Sequence, residues 1–162
     1  MKVLLTLFIM LPIISQAQKV LYDKTDPFTN ERTINIGNAV LNDILQSAAS
    51  VKIKDTSKVF YLSFLMHSIP GLLKETTDST HNECLLRSAA GVVYYGKWFG
   101  STQLPIGSKV YNSATFIFAE EDIKAISAAD ITNIKINGVL YEPSTKYVGN
   151  TARLCRMLLD KL

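Results

Sequence analysis

From Phe60 to His67 the chain alternates residue by residue. Phe60, Leu62, Phe64 and Met66 form a strongly apolar set, and Tyr61, Ser63, Leu65 and His67 form a mixed one. A period of two sorts side chains onto opposite faces of an extended strand, so one face of this strand must be buried. Just upstream, Val51 and Ile53 alternate with Lys52 and Lys54, and Asp55-Thr56-Ser57 turns the chain. The two runs read as a hairpin with one apolar face. Whatever else this chain does, it has to cover that face.

A second hairpin is marked by its turn. Asn137-Gly138 separates Ile134-Lys135-Ile136 from Val139-Leu140-Tyr141. Both residues accept the positive φ that a two-residue turn demands. The turn pairs Ile136 with Val139 and Ile134 with Tyr141 on one face, and sends Lys135 and Leu140 to the other. Between the hairpins, Cys84 to Phe99 reads as one long strand bent at Gly91 or Gly96. A loop around Gly100-Ser101 and Pro105-Ile106-Gly107 then leads to a strand at Ala114–Phe118. Glu120, Glu121 and Asp122 follow, acids suited to the first turn of a short helix with Ile123 and Ile126 on its apolar side. Asn150 or Thr151 caps a C-terminal helix whose stripe is Leu154, Met157, Leu158 and Leu162, with Cys155 beside it.

The N-terminal third is less regular. Gln18 to Asn35 is polar and rich in turn residues. Ile36, Val40, Ile44 and Ala48 recur every four residues, which predicts a helix over 38–50 capped by Asn38, although a pair of strands also fits. Successive hairpins with helices set apart predict an α+β fold: a mainly antiparallel sheet, a short late helix, and a C-terminal helix packed on one face. No repeat or linker divides the chain, so residues 18–162 read as one domain.

Residues 1–17 have the three-part layout of a secretory signal peptide. Lys2 supplies the positive start, Val3 to Ile14 the apolar run, and Ser15-Gln16-Ala17 the small residues of a cleavage site before Gln18. The run is shorter than the roughly 20 apolar residues a membrane span needs, and no second long apolar run follows, so no stable membrane insertion is expected. Without Lys2 the chain carries 16 basic and 14 acidic residues, a net charge of +2, and the basic residues are scattered. Nucleic-acid binding calls for a basic stripe or patch, and none is visible. The leader is similar to those of proteins exported by Gram-negative bacteria. The strand, acid-led helix and hairpin from Phe116 to Tyr141 resemble small exported bacterial α+β domains. That resemblance implies a periplasmic or secreted setting and no particular activity.

Export bears on the two cysteines. In an oxidising compartment Cys84 and Cys155 can form one disulfide, closing a loop of 71 positions worth about 4 kcal/mol in the chain-entropy account. Two buried thiols acting as small apolar side chains fit the sequence equally well. A thiol enzyme would need Cys84 as nucleophile with His81 nearby. No zinc spacing, G-x-S-x-G elbow or phosphate-cradling glycine loop occurs, so no metal site or cofactor is expected. Glu120-Glu121-Asp122 is explained by the helix it opens.

The remaining concentration of interest is aromatic. In an unbroken strand Val92, Tyr94 and Trp98 share a core face, while Tyr95 and Phe99 flank Lys97 on the opposite one. Aromatics beside a lysine suit contact with a partner if that face is open, and a helix laid over them is the simpler arrangement. The sequence therefore predicts an exported, non-enzymatic binding domain for an unidentified protein or envelope ligand, with Tyr95, Lys97 and Phe99 as candidate contacts. A small hydrolase or thiol enzyme built on Cys84 and His81 is one alternative. A small-molecule carrier, its apolar strand residues lining a cavity, is the other.

Overall fold

The computed structural model describes residues 19–67, 82–106 and 109–162. Nine strands run β1 Lys19–Thr25, β2 Arg32–Val40, β3 Leu45–Lys54, β4 Ser57–His67, β5 Glu83–Ser88, β6 Val93–Ile106, β7 Lys109–Phe118, β8 Ile131–Ile136 and β9 Val139–Tyr141. Two helices, α1 Glu120–Ile126 and α2 Asn150–Leu159, and a 3-10 turn at Thr145–Tyr147 complete the elements of the described residues. Every strand pair is antiparallel, in the order β1-β2-β3-β4-β7-β6-β5-β8-β9.

This architecture corrects the α+β expectation: the protein is largely β, with helices of only 7 and 10 residues. The error lies in the N-terminal third. The stretch expected to be helical, 38–50, is the end of β2, a tight turn and most of β3. Asn42 makes that turn, its Oδ1 accepting from the backbone N–H of Ile44 and Leu45. A spacing of four residues is a multiple of two as well as close to one helical turn, so Ile36, Val40, Ile44 and Ala48 fit either structure. The polar run before it holds all of β1 and the start of β2. Likewise Cys84–Phe99 is not one bent strand but the hairpin β5–β6, reversed at Gly91 with φ +84°. The expected loop at 100–107 is mostly strand, because β6 continues to Ile106.

The locally marked elements match their sequence signals. β3 and β4 pair through Val51↔Phe60 and turn at Asp55, whose φ is +55°. The Asn137-Gly138 turn joins β8 to β9 in the register Ile136↔Val139, Ile134↔Tyr141. Glu120, Glu121 and Asp122 open α1. α2 buries Leu154, Cys155 and Leu158, while Leu162 lies beyond its end and is exposed.

Inward-facing residues of every strand from β2 to β9 join one core. Ile34 and Ile36 come from β2, Phe60 to Met66 from β4, Phe116 and Phe118 from β7, Leu86 from β5 and Ile134 from β8. α2 packs along β2 and β3, and α1 packs on α2 and β4. The sheet bends round the helices far enough for its far edge to meet its middle. The Tyr141 hydroxyl on β9 donates to Met66 Sδ on β4 at 3.4 Å. Beyond β9, the Ser144 N–H donates to the Leu41 carbonyl, Asn42 Nδ2 to that of Glu142, and Asn150 Nδ2 to that of Val40. These bonds tie the segment after β9 to the end of β2.

Gly96 marks how closely β6 sits against its neighbour. A methyl group there would stand 2.5 Å from Cζ of Phe118, whereas at Gly100 it would meet open space. Overpacking of this kind costs about 1–3 kcal/mol. Gly96→Ala is therefore expected to lower the unfolding free energy from urea denaturation by that amount, and Gly100→Ala to change it by less than about 0.5 kcal/mol.

Candidate functional site

With both described helices inside the curl, no helix among the described residues covers the outer face of the sheet. Its two halves differ. Across β3, β4 and β7 the outward set mixes Ala48, Ser50, Ser63, Ser113 and Thr115 with Tyr61, Leu65 and Ile117, and these three larger side chains are buried or half-buried. Ser63 and Thr115 share a hydroxyl hydrogen bond of 2.8 Å. Across β6, β5, β8 and β9 the outward set becomes apolar and cationic. One row runs Tyr95, Leu85, Lys135, Leu140, and the next runs Val93, Arg87, Asn133.

The three residues singled out from the sequence lie at the join. Tyr95 and Phe99 are 66% and 58% exposed, and Lys97 between them is also exposed. Among the described residues no helix lies over them, which departs from the simpler arrangement considered above. A bulge between Trp98 and Gly100 gives β6 an extra residue, Phe99. Trp98 turns inward to pack edge-on against Phe116 at 5.4 Å, and Phe99 leans across β7 to meet Tyr61 at 5.0 Å. Phe99 thus shields Tyr61 while keeping its own outer side in water. Tyr95 has no such attachment and stands clear of the sheet. Of the expected core set, Tyr94 is buried and Trp98 half-buried, but Val92 is exposed in the β5–β6 turn.

Sequence reasoning missed the neighbouring depression. It encloses about 230 Å³ and is lined by Leu85, Arg87, Val93, Asn133, Lys135 and Leu140. Leu85 and Arg87 come from β5, and Asn133 and Lys135 from β8, brought side by side by the pairing Leu85↔Lys135 and Arg87↔Asn133. Only the exposure of Lys135 and Leu140, implied by the Asn-Gly turn, gave a local hint of it. A further exposed aromatic, Phe28, is 94% exposed in the β1–β2 turn. That turn is stiffened by Asp26, whose Oδ1 accepts from the N–H groups of Phe28 and Thr29, bonds that also hold its carboxyl below the usual range.

The reactive side chains point the other way. Cys84 and Cys155 are free thiols with no exposed surface. Burial, with a smaller contribution from Glu83, pushes the Cys84 thiol far upward, and burial alone pushes Cys155 up to about 12. Neither matches the exposed, low-pKa thiolate of a nucleophile. His81, the expected partner of Cys84, lies outside the described residues. Among the described residues no group of three or more His, Cys, Asp or Glu could hold a metal ion, and no helix is long and apolar enough to cross a membrane. Glu120 pairs with Lys124 at 2.7 Å one turn along α1, as a helix-opening acid does.

Comparison with protein families, with curated proteins and with solved structures found no match for this chain.

The thiols give a direct check. In the folded protein neither cysteine is expected to react with a thiol reagent at pH 8, and both are expected to react at the rate of unfolding. Their folded pKa values lie above the ordinary value of 9.0, so the stability they lend is complete below pH 9. It falls as the pH rises from there towards 12, because the unfolded chain releases those protons first. A chemical denaturation series across that window should show the loss, and it should be less steep, with the same onset, when Cys155 is replaced by Ala.

Proposed function

We propose that this protein is an exported, non-enzymatic binding domain of the bacterial cell envelope, and that it engages a protein through the outer face of β6, β5, β8 and β9. The observation that carries the reading is the contrast between the two halves of that face. In the β3–β4–β7 half the large apolar side chains Tyr61, Leu65 and Ile117 are buried or half-buried among small and hydroxylated neighbours. The other half leaves Tyr95, Phe99, Val93 and Leu140 exposed together. Single exposed apolar side chains are ordinary, whereas a contiguous set bordered by charge marks an interaction surface. Tyr95 offers large contact area with few rotatable bonds to freeze, as anchors of protein interfaces do.

Several features support this over the alternatives. The thiol-enzyme reading needs Cys84 at a surface, and β5 turns it into the core. The carrier reading needs the inward apolar residues to line a space, and these pack with Ile123, Ile126, Leu154 and Leu158 in one cluster. The leader-like residues 1–17 support a setting outside the cytoplasm.

A photo-crosslinking residue in place of Tyr95 or Phe99, in the full chain expressed with its own leader, tests the reading. Both positions should give one discrete protein adduct that is absent at Arg153 on the exposed side of α2. Equal labelling at Arg153, or none at Tyr95 and Phe99, would overturn it. Tyr95→Ser should remove the adduct at position 99 while changing stability by less than about 0.5 kcal/mol, since so exposed a side chain contributes little to folding.

A further inference from the structure

Resting on that binding-face reading, the chemistry of the 230 Å³ depression identifies what its partner presents. Each of the six lining residues is either aliphatic or a hydrogen-bond donor, and none is acidic. Leu85, Val93 and Leu140 form the walls. Arg87 and Lys135 bring positive charge, and no ion pair with a described residue neutralises either one. Asn133 is oriented by its neighbour: its Oδ1 accepts from the Thr132 hydroxyl at 3.2 Å, which leaves the Nδ2 hydrogens as the donors it can offer. Glu83 lies one row away opposite Lys97, and Glu142 follows β9, but neither lines the depression.

Two adjoining rows of the sheet thus present Lys135 between Leu85 and Leu140, and Arg87 between Val93 and Asn133. Strands are about 4.8 Å apart and alternate residues about 6.8 Å along each strand, so the two cations sit within reach of a single carboxylate. The volume is below the roughly 300–1,000 Å³ of pockets that enclose a whole small molecule. It suits one side chain of a larger ligand, with the exposed Tyr95 continuing the surface along the Leu85 row.

The geometry points to an acidic segment of a partner protein, one that sets a carboxylate against Arg87, Lys135 and Asn133 and an adjacent aliphatic side chain against Leu85, Val93 and Leu140. Aliphatic walls favour such a segment over an acidic saccharide, whose hydroxyl-rich ring is better matched by aromatic platforms and by groups that accept as well as donate. Guanidinium recognition of a carboxylate in a partly dry site also supplies orientation, which a lysine alone would not.

The test is amide-shift NMR on the chain from residue 18 onwards, titrated with an acetylated Leu-Glu-Leu-Glu-Leu peptide amide, its Gln counterpart and tri-galacturonate. The acidic peptide should move the amides of Leu85–Arg87, Asn133–Lys135 and Leu140. Its affinity should fall roughly tenfold in either Arg87→Gln or Lys135→Gln, and the Gln peptide should bind as weakly to the native chain. Both variants change exposed or half-buried polar positions, and unchanged shifts elsewhere confirm that they fold. Equal binding of the Gln peptide, binding of galacturonate alone, or no localised shift would overturn the inference. If crosslinking at Tyr95 and Phe99 persists in that event, the binding face stands with a partner of other chemistry; if it too is absent, both readings fall.

Discussion

A sheet of nine strands has far more apolar surface on one side than this chain has helix to cover it. Laid flat at about 4.8 Å per strand, the sheet would be roughly 40 Å across. The two helices are about 10 Å thick and only 7 and 10 residues long. Most of the deficit is met by the sheet itself, which bends until β9 faces β4 across the core and Tyr141 reaches Met66. The hydrogen bonds from Ser144, Asn42 and Asn150 secure that bend at the rim. α2 runs between these two sets of contacts, from Asn150 on the Val40 carbonyl to the Lys161 carbonyl, which accepts from Arg32 at the start of β2. Without the curl, Phe60, Phe64 and Phe116 would have water on one side.

Bending the sheet inward settles what happens outside. The convex face cannot also receive a helix, because both have been spent on the concave one. A bare sheet face is stable in water when its residues are small, hydroxylated or charged, or when its larger apolar side chains are covered by neighbours. The β3–β4–β7 half does both: Ser63 and Thr115 pair through their hydroxyls, Leu65 and Ile117 are half-buried, and Tyr61 is shielded by Phe99. The β6–β5–β8–β9 half departs from the rule with no gain in folding energy, since Tyr95 and Leu140 bury little of themselves. A feature that folding does not need, placed on a face that no described helix covers, is the kind that function explains.

How much of this could be read from the sequence follows from how local each signal is. β4 and the β8–β9 hairpin were legible because alternation and an Asn-Gly turn act within eight residues. α1 was legible from three acids in a row, and α2 from its apolar stripe. β1 and β2 were not: β1 is an edge strand with Leu21 and Tyr22 exposed and an irregularity between Val20 and Tyr22, and the bulge after Ile36 breaks the alternation that would have marked β2. Gly91 was recognised as a bend, but whether a glycine bends a strand or reverses it depends on the pairing partner, here Leu86↔Tyr94. Lys97 with Tyr95 and Phe99 could be found because they share one strand. The depression could not, since Leu85, Val93, Lys135 and Leu140 meet only through the β5–β8 pairing, which joins residues about fifty positions apart.

Strand β5 shows in six residues how the molecule divides its chemistry. Cys84, Leu86 and Ser88 point in, and Leu85 and Arg87 point out. The same alternation that hides the thiol, with its raised pKa and no path to solvent, displays the guanidinium beside an aliphatic wall. Shifting the register by one residue would exchange the two sets, exposing a cysteine and burying an unpaired arginine, a change that costs several kcal/mol for the charge alone. The register is therefore fixed by the core, and the outer face inherits its arrangement from it. Groups suited to covalent chemistry are held inside as packing, and groups suited to recognition are held outside on a rigid support, which is the arrangement a binding surface requires.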